Sequence, residues 1–218
     1  MRRKSLFNPF YISHSEMSKV VSSFAIDYKG NMLDIGCGQK PYLNLFDNIV
    51  DYVGLEVEPD EYREKNKTAD FYYDGVTLPF DNNSFDNIVC FQVLEHVEDY
   101  QSFLNEIVRV LKPRGNLMLS LPFIWPEHEM PYDFRRFNVN GLELELKKCN
   151  FEIVKTIKVT KGFRAYLQLI QDYVFHANAP KALRYSVIFF LNLFSSLSSN
   201  SNVDHRFYLD VLTIARIK

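Results

Sequence analysis

From residue 31 onward, short apolar runs alternate with polar stretches that have helical spacing. The runs are "MLDI" (32–35), "YVGLEV" (52–57), "FYY" (71–73), "FDNIVCF" (85–91) and "NLMLSL" (116–121). Strands buried on both faces read as short continuous apolar runs, and parallel strands of this kind need covering crossovers. Between the last two runs, "DYQSFLNEIVRVL" sets Phe103, Leu104, Ile107, Val108 and Leu111 on one helical face, and "KPRG" offers Pro113 and Gly115 as its stop. The alternation therefore predicts an α/β chain, a doubly wound parallel sheet covered on both sides. Upstream, Met17, Val20, Val21 and Phe24 predict a helix that stops at Gly30. Downstream, a helix is expected at 139–149 and strands at 151–159 and 206–217, with "SSLSSNSN" (195–202) as a surface loop.

The 218 residues suit one well-cored domain. Its expected parts are a helical extension (1–30), a core (31–161), a helical insertion (162–205) and a last strand (206–217). A formal charge of -2 gives no electrostatic reason to expect a nucleic-acid partner. Cys37, Cys90 and Cys149 are scattered and lack metal-ligand spacing, which predicts reduced thiols, a cytoplasmic protein and no metal. The longest apolar run, Tyr185 to Phe194, is about half of the roughly 20 residues a membrane span needs. Phe (19) and Tyr (13) are plentiful enough to suggest an apolar ligand.

"MLDIGCGQKPYLNLF" (32–46) is the stretch that points to chemistry. Ligands of doubly wound sheets sit beyond the carboxyl ends of the strands, and Gly36 and Gly38 fall at the first such turn. A dinucleotide fingerprint would add a third glycine, but the run here is Gly36-Cys37-Gly38-Gln39-Lys40-Pro41. Asp34 just before the turn disfavours a diphosphate and favours an ammonium, which argues against a nicotinamide cofactor. Glu56, ending the second run, suits the two hydroxyls of a ribose, and Asp74 an adenine amine, with Gly75 and Val76 alongside. An ammonium, a ribose and an adenine together describe S-adenosylmethionine. Simpler roles stay open: a helix cap for Asp34, a charged strand end for Glu56 and a turn residue for Asp74.

"LDIGCG", "YVGLEVEP", "DGVTLPFDNNSFDNIVC" and "QVLEHVEDYQSFLNEIVRVLKPRGNLMLSLP" resemble the class I S-adenosylmethionine-dependent methyltransferases of the type 11 group. The resemblance covers about residues 30 to 160. It implies a Rossmann-like seven-stranded sheet with an antiparallel last strand, and S-adenosylmethionine as cofactor, leaving as S-adenosylhomocysteine. It also implies cofactor contacts through Asp34, Gly36, Gly38, Glu56 and Asp74; Cys37 lies between the glycines, and Phe91 and Gln92 leave the fourth strand toward the same region. "GQKPY" departs from the many members that carry another glycine. "HEMPYDFRRF" (128–137) is similar to a segment in members encoded with surface-polysaccharide synthesis, and this second likeness implies a saccharide or lipid-linked glycan acceptor.

In "PFIWPEHEMPYDFRRF" (122–137), Trp125, Tyr132 and Phe134 suit stacking on a sugar, and Glu127, Glu129 and Arg135 suit its hydroxyls. His128, with Asp133 as a carboxylate partner, is the candidate catalytic base. The same loop also reads as a lid anchored by its own Arg–carboxylate pairs. His96 reads as a packing residue as readily as a proton acceptor. Methylation of an apolar ring compound such as a quinone precursor is the alternative activity, and a non-catalytic cofactor-binding partner subunit the alternative of another class. In the insertion, Phe163, Tyr166, Leu167, Ile170, Tyr173 and Val174 form one helical face, and 181–197 is apolar almost all round. Burial as a cap or in a homodimer is expected there, or peripheral membrane contact aided by Lys181 and Arg184.

Overall fold

A computed structural model of the chain describes residues 5–59, 68–197 and 205–218. Seven strands form one sheet: β1 (Gly30–Ile35), β2 (Ile49–Val57), β3 (Phe71–Tyr73), β4 (Phe85–Phe91), β5 (Leu111–Pro122), β6 (Phe151–Lys161) and β7 (Tyr208–Ile217). Their order is β3-β2-β1-β4-β5-β7-β6, and the last strand of the chain is antiparallel. β1 pairs in parallel with β2 on one side and β4 on the other, with Asp34 level with Gly54 and Val89. The centre is apolar: Leu33 and Ile35 of β1, Leu55 of β2, Ile88 of β4 and Leu117 of β5 are buried.

Helix α2 (Tyr100–Val110) is the crossover between β4 and β5. Phe103, Leu104, Ile107 and Val110 are buried, each worth about 1.5–3 kcal/mol. Its N-cap is Asp99, whose Oδ1 accepts from the Ser102 amide at 3.1 Å. The helix ends before "KPRG". Leu111 is already extended and starts β5, and Lys112–Gly115 bulge between the pairs Phe85–Leu111 and Asn87–Asn116. Pro113 is tolerated there because a bulge frees it from donating to the ladder.

One other local expectation changes. Helix α1 (Tyr11–Ala25) stops short of Gly30, which opens β1 at φ 84°. After Gly38 the chain makes a 3-10 turn (Leu43–Leu45) rather than an α-helix, since Pro41 and Lys40, at φ 48°, interrupt helical geometry. Helix α3 (Val139–Lys148) lies where expected, capped by the Asn138 side chain on the Gly141 amide.

Two compact units are distinguished, Ser22–Ile157 with Val211–Lys218, and Met1–Val21 with Lys158–Asp210. The second contains α4 (Phe163–His176) and α5 (Lys181–Leu197). Of the expected apolar face of α4, Leu167 is buried, but Phe163, Tyr166, Ile170 and Tyr173 are turned outward and exposed, the last by 77%. The buried face instead carries Gln168 and Gln171, and α5 buries Asn192. The amides bond backbone groups at and before the start of α1. Gln168 donates to Pro9 O at 2.8 Å and accepts from Ser13 N at 3.1 Å, while Asn192 donates to Leu6 O and Asn8 O. Of "SSLSSNSN", Ser195–Leu197 complete α5 and the remainder lies outside the described residues. Among the described residues, no helix is long and apolar enough to cross a membrane.

Candidate active site

Parallel strands deliver their carboxyl ends to one edge, and a cleft of about 1150 Å³ opens there. Its wall takes Gly36 and Gly38 after β1, Glu56 and Val57 from β2, Asp74, Gly75 and Val76 after β3, and Gln92 after β4. Gly36 sits at φ 67°, and a Cβ there would lie 2.2 Å from Val93 Cγ2, so the turn needs glycine both for its torsion and for the valine packed on it. Glu56 faces the turn, its Oε2 accepting from the Gly38 amide at 3.2 Å. Asp74 caps its own loop: Oδ1 accepts from Val76 N at 2.8 Å and Thr77 N at 2.9 Å, which holds the carboxyl below its ordinary range. Gln92 is left-handed at φ 57° and is held by Ser120, through its amide at 3.0 Å and its side chain at 3.1 Å.

Asp34, Cys37 and Phe91 stand behind this wall rather than in it. Asp34 is 3% exposed, and burial raises its carboxyl to about 7 even though Tyr52 Oη donates to it at 2.6 Å. Burial first, then the Asp34 and Glu56 charges, pushes the Cys37 thiol up to about 12, so it is inert at neutral pH. Phe91 packs edge-on against Tyr42 at 4.9 Å.

The other wall comes from His96 to Phe103 and from the loop after β5, through Glu129, Tyr132 and Phe134. Trp125, Glu127, His128, Asp133 and Arg135 lie outside the lining. Asp133 does not stand free to act as a base: Arg136 pairs with both its oxygens, Oδ2 also accepts from His128 N at 2.9 Å, and the carboxyl is held at about 2. Arg135 donates to the Leu94, Val97 and Glu98 carbonyls and covers the Tyr100 ring at 4.7 Å. Arg136 thus ties the loop to itself and Arg135 ties it to the segment after β4, and neither reaches for a ligand. Burial lowers the pKa of His96 more than Glu129 raises it, so the ring is neutral near pH 7.

Residues 33–119 match the family model described as a methyltransferase domain. This stretch is similar to S-adenosylmethionine-dependent methyltransferase domains. The chain is 35% identical over 116 residues to a ubiquinone/menaquinone biosynthesis C-methyltransferase of Pseudoalteromonas translucida, covering 52% of this chain and 38% of that protein. It is 33% identical over 108 residues to a demethylmenaquinone methyltransferase of Staphylococcus epidermidis, covering 44% of each. The matches span about half or less of the length of these curated relatives. Among solved structures, phosphoethanolamine N-methyltransferase 2 of Haemonchus contortus, in complex with S-adenosyl-L-methionine, is similar at a TM-score of 0.59 and 16% identity, over 99% of this chain and 57% of that one. The cyclase SpnF is similar at 0.60 and 20% identity, over 94% and 81%. At such identities the likeness is one of fold, and one fold hosts many chemistries.

The cleft fits S-adenosylmethionine by its donor set. Gly38 has nothing within 4 Å of where a Cβ would be, which leaves the backbone open to a ligand, and a carboxylate from β2 stands beside it. Sequence reasoning missed Tyr52, the partner of Asp34, and the wall residues Val93, Glu98, Asp99 and Ser102. Asp99 was the legible one, since an aspartate four residues before the first apolar pair of a helix, Phe103 and Leu104, is a capping signal.

Proposed function

We propose that the protein transfers a methyl group from S-adenosylmethionine to an oxygen of a hydroxylated acceptor, a saccharide or lipid-linked glycan precursor. The observation that carries this reading is the polar wall opposite the glycine turn, where Glu98, Asp99, Ser102, Glu129 and Tyr132 line the cleft. An acceptor rich in hydroxyls gains hydrogen bonds along such a wall that a bare ring cannot make. When bound, S-adenosylmethionine supplies an electrophilic methyl on a sulfonium. The residues of the chain hold and align: Glu56 accepts from the ribose, Asp74 to Val76 flank the adenine, and the second wall brings the acceptor oxygen to roughly 3 Å from the methyl carbon. Loss of the acceptor proton falls to the imidazole side of the cleft, His96 with His128 behind it, at neutral pH.

The names of the curated relatives support a quinone precursor as a second reading. The two separate in one assay of labelled methyl transfer, with nucleotide sugars and polyprenyl-linked glycans against demethylated quinones. Methyl on the glycan alone supports the first reading, and methyl on the quinone alone replaces it. Cofactor binding with no transfer to either would favour a non-catalytic partner subunit.

We also propose peripheral contact with an anionic lipid surface through the helical unit. Phe163 and Phe194 meet edge-on at 6.0 Å, joining the exposed stripe of α4 to Leu183, Phe190 and Leu197 of α5. Residues 1–21 and 158–210 carry ten Lys and Arg against four Asp and Glu, although the whole chain has 25 against 27. An apolar face on a basic unit is complementary to an anionic bilayer, where a lipid-linked acceptor would be presented.

A further inference from the structure

We infer that Glu95, His96 and His128 form a site for a divalent first-row transition ion, Zn²⁺ foremost, at the wall of the cleft. One ligand atom from each of the three lies within 4.8 Å of the others, and the two rings meet edge-on with centroids 4.8 Å apart.

The tautomers follow from the partners. Nδ1 of His96 is 3.0 Å from the Tyr132 carbonyl oxygen, and Nδ1 of His128 is 3.2 Å from that of Pro126 and 3.3 Å from Asp133 Oδ2. Those oxygens can only accept, so Nδ1 carries the proton in both rings and each Nε2 presents a lone pair. Backbone or carboxylate acceptors behind Nδ1 are the usual outer support of histidines that ligate through Nε2. In front of His96 Nε2 stand two further acceptors, Glu95 Oε1 and Glu129 Oε2, each at 3.8 Å. Lone pairs converging on carboxylates call for a cation between them, and a proton on Nε2 is the competing occupant.

Two imidazoles and one carboxylate suit zinc or a neighbouring ion better than magnesium or calcium, which prefer oxygen throughout. Zinc bonds of about 2.0–2.2 Å place ligand atoms roughly 3.3 Å apart, so the set must draw in by side-chain rotation. Glu129, whose side chain is 71% exposed, is free to swing and supply a fourth oxygen or to leave that position open. With the position open, an acceptor hydroxyl binding there would lose its proton to solvent more readily, and its oxygen would attack the methyl carbon as the C–S electron pair returns to sulfur. That role, which takes the place of the imidazole base when the ion is bound, rests on the methyl-transfer reading; the ion site itself does not.

The test uses the full chain stripped with a chelator. Calorimetric titration with Zn²⁺, and visible absorption on titration with Co²⁺, are run on wild type, His128→Asn and Glu95→Gln, with S-adenosylmethionine titrated separately into each. We expect one ion per chain for wild type, with affinity at least tenfold lower for His128→Asn and cofactor binding retained. His128 is half-exposed, so this variant remains decisive if Glu95→Gln, at a fully buried position, fails to fold. No stoichiometric ion on wild type, or equal affinity in His128→Asn, overturns the site in favour of the proton. Failure of the methyltransferase reading would appear instead as loss of cofactor binding in wild type.

Discussion

The Tyr52 hydroxyl donates to the Asp34 carboxylate at 2.6 Å across the first two strands, directly behind the glycine turn. Burial nevertheless raises Asp34 from 3.8 to about 7. The folded state therefore keeps a proton that the unfolded chain has lost, and this contribution to stability is full below 3.8 and lost as pH rises through about 7. Asp34→Asn imitates the protonated form. Its melting temperature should match wild type near about pH 4 and exceed it by several degrees above about pH 8. A difference that stays constant with pH, read by scanning fluorimetry, would show that the carboxyl is not raised.

Under the proposed function, Glu56 accepts from the diol that S-adenosylmethionine and S-adenosylhomocysteine share. Hydrogen bonds to a charged group are worth about 1.5–3 kcal/mol, so Glu56→Ala should weaken both ligands by roughly 10- to 100-fold. Calorimetry that finds one ligand weakened and the other untouched would place Glu56 elsewhere than at the ribose.

The Asp133 side chain is 1% exposed and paired with Arg136. Its carboxyl is depressed to about 2, so its stabilisation holds above 3.8 and fades as pH falls through about 2. Arg136→Ala leaves a buried charge without its partner and should cost about 2–4 kcal/mol in urea unfolding, with earlier proteolytic cleavage within 123–138. The double variant with Asp133→Asn should regain part of that loss. No recovery would mean that the loop is held by something other than this pair.

Gly36→Ala combines a φ of 67° with a methyl 2.2 Å from Val93 Cγ2. It should lower stability by about 1–3 kcal/mol and, because Val93 lines the cleft, weaken S-adenosylmethionine as well. Gly38→Ala shares the positive φ at 49° but meets nothing within 4 Å, so it should lose less stability. Equal losses in denaturant titration would remove the valine from the explanation.

Exposed Phe190 and Phe194 predict that the protein co-sediments with anionic but not neutral vesicles, and that Phe190→Ser with Phe194→Ser abolishes this. Retention of both stripes in a dimer, seen by light scattering with no vesicle binding, would assign the face to a second copy instead.

The strands of the core and the turn at Gly36 were legible because they depend on local matters: apolar runs, glycines, and one acidic side chain at a strand end. Glu56, Asp74 and Gln92 followed from position alone, since a parallel sheet sends every strand's carboxyl end to the same edge. The tertiary structure alone decided which face of α4 is covered. Spacing gives Phe163, Tyr166, Ile170 and Tyr173 a common side but not an inward one, and the carbonyls of Leu6, Asn8 and Pro9 drew the amides of Gln168 and Asn192 inside. It alone also brought His128 to Glu95 and His96, because two segments far apart in sequence meet only when the loop after β5 folds back over the end of β4 and is tied there by Arg135.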